Sequence, residues 1–94
     1  MGKVGNANLE ARRRIAEIAE EKGLNYCEIG FFNDCLENTF LAPAHRHKRA
    51  WYRGDIELLS DYRQWISACV NCHNKIEHDK ELTDQLFMDL RGNE

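Results

Sequence analysis

No run of apolar residues in this chain approaches the ~20 that a membrane-spanning helix needs, so the sequence predicts no membrane partner. The N-terminal stretch MGKVGNANLEARRRIAEIAEEKG has neither the apolar core nor the small-residue cleavage site of a secretory signal. Its charged, alanine-rich pattern reads as a solvated helix, and the expected location is a reducing cytoplasm. Positive charge is not in excess either: the formal net charge is −3, with 31% of residues charged. Any surface for nucleic acid must therefore be local. Internal repeats and low-complexity segments are absent. The 94 residues suffice for one small domain, whose apolar core is marginal and gains from a staple.

Four cysteines supply the material for such a staple. In a reducing compartment they read as metal ligands before disulfides. Cys69-Val70-Asn71-Cys72-His73 has the spacing of two unrelated devices, a c-type haem attachment site and half of a zinc site. Haem attachment belongs to exported proteins and would leave Cys27 and Cys35 unexplained, so no haem is expected. Four ordinary thiols packed as small hydrophobes is the remaining alternative. Zinc ligands come as two close pairs: Cys69 and Cys72 with a two-residue gap, Cys27 and Cys35 with a looser seven-residue gap. The order, a loop pair, a hairpin, a connection and then Cys-x-x-Cys opening a helix, is that of a treble-clef finger.

Along the chain, residues 1–7 are expected to be a disordered lead and residues 8–94 a single domain. A helix is predicted from Asn8, with Ile15, Ile18 and Ala19 on its packed face and Gly23 ending it. Arg12, Arg13 and Arg14 interleave with glutamates and read as a salt-bridged solvated face. Strand-like TFLA, stopped by the single proline Pro43, predicts a short hairpin across 26–48. The three- and four-residue steps of Ile56, Leu59, Tyr62 or Arg63, and Ile66 predict one helix over DIELLSDYRQWISA. A further helix opens after the CVNC knuckle, and Leu82, Leu86, Met88 or Phe87, and Leu90 are expected to pack.

From Cys27 to His78 the chain resembles the HNH endonuclease family: a cysteine pair, an apolar strand reaching Ala44-His45, a basic stretch, then CxxCH opening a helix. LAPAHRHKRAWY and ACVNCHNKIEHDKELT are similar to small HNH-type proteins encoded by bacteriophages. The resemblance covers roughly half to two-thirds of the chain. It implies an α+β fold, a small zinc-stabilised treble-clef/ββα-metal domain with an N-terminal helix and C-terminal helices. It also implies a metal-dependent endonuclease acting on DNA in a host-cell cytoplasm, with structural Zn²⁺ on the four cysteines and catalytic Mg²⁺ or Mn²⁺.

Residue by residue, His45 matches the family's general base and His73 its helix-borne metal ligand. Gln64 falls where the family's middle asparagine is expected, one methylene longer. Ala44 stands where many members carry a further metal ligand. On the helix His73 shares a face with Glu77, and Asn74 with His78, so His78 is a second candidate ligand. His47, two residues beyond His45, is a third. Arg46, Lys48, Arg49 and Arg53, with Trp51 and Tyr52 interleaved, form the candidate surface for phosphates and bases. The incomplete motif keeps an alternative open, a catalytically inactive zinc module that binds nucleic acid or a host protein.

Overall fold

The computed structural model describes residues 3–93. Its elements run α1 (Lys3–Lys22), β1 (Leu41–His45), α2 (Arg49–Tyr52), α3 (Ile56–Ser60), a 3₁₀ turn (Tyr62–Gln64), β2 (Trp65–Cys69), α4 (Val70–Glu77) and α5 (Lys80–Arg91). This is an α+β architecture built on one two-stranded antiparallel sheet. No helix among the described residues is long and apolar enough to cross a membrane.

The first helix begins at Lys3, upstream of the expected Asn8 cap. Ala7, Ala11 and Ile15 recur at four-residue steps and are buried, which gives this helix its packed stripe. Ala11 meets Leu59 of α3 and Tyr52 of α2 in a small apolar cluster. The opposite face carries the expected ion pairs, Arg13 to Glu10 at 2.6 Å and to Glu17 at 3.6 Å. Gly23 adopts φ +69°, and Leu24 N–H closes on the Ala19 carbonyl at 2.8 Å. That left-handed turn with a six-to-one hydrogen bond ends the helix as expected.

Two expectations are corrected. No hairpin forms within 26–48: β1 pairs instead with β2, in register Leu41↔Cys69 through His45↔Trp65. Accordingly, the predicted 55–68 helix stops at Ser60. Asp55 caps its start, accepting from Leu58 N–H at 3.1 Å. Asp61 then turns the chain by accepting from Arg63 N–H at 2.9 Å, and WISAC becomes a strand. All five of its residues are buried, so it shows no polar alternation by which periodicity could separate strand from helix.

The sheet is covered on both faces. Ala44, Ile66 and Ala68 pack with Ile76 of α4 and with Leu86 and Phe87 of α5, in the cluster that also holds Cys27, Cys69 and Cys72. On the other face Trp65 is fully buried and donates from Nε1 to the Ser60 carbonyl at 3.1 Å. The chain breaks between α4 and α5 because Asp79 caps the new helix, accepting from Leu82 N–H at 3.0 Å.

Candidate metal centre and adjoining groove

Cys69 ends β2 and is also the N-cap of α4, so its sulfur accepts from Cys72 N–H at 3.4 Å. A second backbone donor, Leu36 N–H, reaches the same sulfur at 3.3 Å, and Glu37 N–H reaches Cys35 Sγ at 3.4 Å. The loop bearing Cys35 is tied to α4 by Asn71 Nδ2, which donates to the Asp34 carbonyl at 2.8 Å, and by the Lys75–Asp34 pair at 3.5 Å. Glu37 takes a positive φ of 59°, and Cys27 N–H donates to its carbonyl at 2.6 Å, which closes the first knuckle.

All four cysteines are free, and their sulfurs lie within 4.8 Å of one another. A tetrahedral ion with Zn–S bonds of about 2.3 Å sets its sulfurs about 3.8 Å apart, so donor type, number and spacing fit a thiolate-held zinc. The electrostatics agree. Burial opposes ionisation of Cys69, yet the N–H groups of Leu36 and Cys72 together with the neighbouring thiols bring it down to about 7. Burial, reinforced by Cys69, Cys35 and Cys27, pushes Cys72 far above the ordinary thiol value. Crowded thiols cannot all ionise alone, and a divalent cation at their centre is what would let them.

On the far side of α4 lies a groove of about 600 Å³, walled by the end of β1, the basic segment after it, and the exposed flank of α4 and α5. His45, the last residue of β1, and His73, one turn into α4, both line it, as does Glu77 one turn further. His45 Nε2 lies 2.8 Å from the Leu59 carbonyl, an orphan acceptor at the end of α3. A carbonyl only accepts, so in the neutral ring this nitrogen holds the hydrogen and Nδ1 is left as the basic one. Burial holds His45 below its ordinary value against the raising effect of that bond, with the charges of Arg49 and His73 acting in the same direction as burial.

The remaining candidates separate. His47, Lys48 and Arg49 line the groove, whereas His78 and Arg53 are exposed outside its lining. Arg46 borders it but directs its guanidinium to the C-terminus, donating to the Gly92 carbonyl at 2.7 Å and to the Arg63 carbonyl at 3.2 Å. Gln64 is buried in the connection before β2, where its Oε1 accepts from the Tyr52 hydroxyl at 2.9 Å. Ala44 is buried at the groove floor and brings no ligand. Tyr52, which the sequence offers only as one of two aromatics interleaved in the basic stretch, accepts at its hydroxyl from His47 N–H at 3.2 Å and so braces that segment. Its only signal was an aromatic residue among charges. Comparison of the chain with protein-family models, with curated proteins and with solved structures returned no match.

Proposed function

We propose that this chain is a zinc-stabilised HNH-type endonuclease that hydrolyses DNA phosphodiester bonds. The observation that carries the reading is the meeting of His45 and His73 in one basic groove, on a strand–connection–strand–helix path whose helix starts at the cysteine cluster. That path is the one expected of a ββα-metal unit. In this reading zinc on Cys27, Cys35, Cys69 and Cys72 fixes the angle between β2 and α4, and so the position of His73 relative to His45.

His45, neutral near pH 7, takes a proton from the attacking water at Nδ1 while the Leu59 carbonyl keeps its ring oriented. Mg²⁺ or Mn²⁺, when bound at His73, supplies stabilisation for the charge that develops on the phosphate. Glu77 and His47 are the neighbouring groups suited to complete that site. Lys48 and Arg49 hold flanking phosphates. A plasmid-nicking assay tests the reading: cleavage should need added divalent ion and disappear in His45→Ala, while zinc content and fold persist.

A second reading has its own observation. The Gln64 amide is engaged by Tyr52, and Ala44 lines the groove without a donor atom, so neither of these motif positions offers the groove a metal ligand. An inactive zinc module that binds nucleic acid or a host protein fits those two facts. Wild-type protein that binds DNA but cleaves no nucleic acid with either metal would select it.

A further inference from the structure

Trp51 belongs to neither hydrophobic cluster, and 49% of its surface is exposed. It stands on the wall of the His45 groove, on the short helix α2. Its indole is nevertheless fixed. The His47 imidazole stacks against it, with centroids 4.0 Å apart and planes at 23°. Tyr52 meets it edge-on at 5.0 Å and 80°. Tyr52 is itself buried and held through its hydroxyl by Gln64, so the orientation of the indole is set before any ligand arrives. A preset ring loses little rotamer freedom on binding.

Charge surrounds this ring on the groove side. Lys48 and Arg49 are exposed and line the same wall; Lys80 opposite is paired with Asp84 at 2.9 Å, and Glu77 is the other acid. A rigid, half-open aromatic face beside cations that track a backbone is the combination that single-stranded sites use. A duplex keeps its base faces inside the stack and offers none to an indole; only an unpaired or extruded nucleotide can lie on it.

We propose that Trp51, backed by His47, is a stacking platform for an unpaired base, so that the groove prefers single-stranded DNA over duplex. The proposal rests on the nuclease reading only in taking this groove as the place where the strand is cut. It adds a binding residue and a substrate class to that reading.

Tryptophan fluorescence tests it directly, because the other tryptophan, Trp65, is 1% exposed and bonded to Ser60. Zinc-loaded full-length protein without added Mg²⁺ is titrated with short oligothymidylate and, separately, with the same strand annealed to its complement. The expected result is quenching by the single strand and weaker quenching by the duplex. Trp51→Ala should weaken single-strand binding roughly 5- to 150-fold, the range of one base stacked on an aromatic ring. Trp51→Phe, which keeps a smaller ring, should fall between the two. Equal affinity for duplex and single strand, absence of quenching, or unchanged binding by Trp51→Ala with retained zinc and circular dichroism would each overturn the platform. Cleavage lost in His45→Ala would then still support the nuclease. Quenching without cleavage by wild type would keep the platform and remove the nuclease.

Discussion

The Arg91 guanidinium forks onto the Glu28 carboxylate, Nη2 to Oε1 at 2.6 Å and Nη1 to Oε2 at 2.8 Å, with the two side chains 2% and 5% exposed. Arg91 also donates from Nε to the Tyr62 and Trp65 carbonyls and lies over the Tyr62 ring. Glu28 accepts in addition from Ser67 N–H at 2.8 Å. One buried pair thus joins the end of α5, the entry to β2 and the residue after Cys27.

Removing one partner leaves an uncompensated charge in the core. Arg91→Met or Glu28→Gln should each lower the unfolding free energy by about 3–5 kcal/mol, whereas the double replacement Arg91→Met with Glu28→Leu should recover much of that loss. Urea denaturation in zinc-replete buffer measures all three. Equal losses from the single and double variants would contradict this assignment.

Zinc content should be one ion per folded chain. Cys69→Ser removes the ligand on which two backbone donors converge, and should release the metal and unfold the domain; chelation should do the same to the wild type. Elemental analysis with circular dichroism follows both events. A folded, metal-free preparation, or a disulfide between Cys69 and Cys72, would refute the assignment.

Acid should weaken the fold through His45. Its native pKa lies below the ordinary 6.5, so between the two values the unfolded chain binds more protons than the native one. Stability therefore rises with pH through that window, and is level with respect to this group above about 6.5. Replacing His45 by Gln should flatten this part of the profile. The difference between variant and wild type, measured by denaturant midpoints, isolates it from loss of zinc in acid.

The basic residues should divide by role. Neutralising Lys48 and Arg49 together should reduce the salt slope of single-strand binding by about 1.4, the release expected for two phosphate contacts, with stability unchanged. Arg46→Ala should instead cost stability, on the order of 1–3 kcal/mol, because it removes charge-assisted bonds to the Gly92 and Arg63 carbonyls. Salt titrations and melting curves run on the same variants separate the two roles.

Local chemistry made some of this legible in advance. The two-residue gap between Cys69 and Cys72 and the need of a small core for a staple pointed to a metal cluster, and the structure gathers Cys27 and Cys35 to them. Gly23 ended α1 because only a residue tolerant of positive φ closes that turn without strain. The glutamates around Arg12–Arg14 marked a solvated face because i to i+3 and i+4 neighbours meet on any helix. The cysteine gap, the helix stop and the ion-paired face are short-range relations, and the sequence by itself determines them.

Tertiary contact decided the rest. Trp65–Cys69 satisfies helical spacing as well as a buried strand, and became a strand because Leu41–His45 lay available to pair with it. Arg46 reads in the sequence as one of four basic neighbours, and only the fold brings the Gly92 carbonyl to its guanidinium; Gln64 reads as a motif position, and only the fold brings the Tyr52 hydroxyl to its amide. Each outcome depends on a partner between 12 and 46 residues away in the chain, whose approach no local pattern encodes.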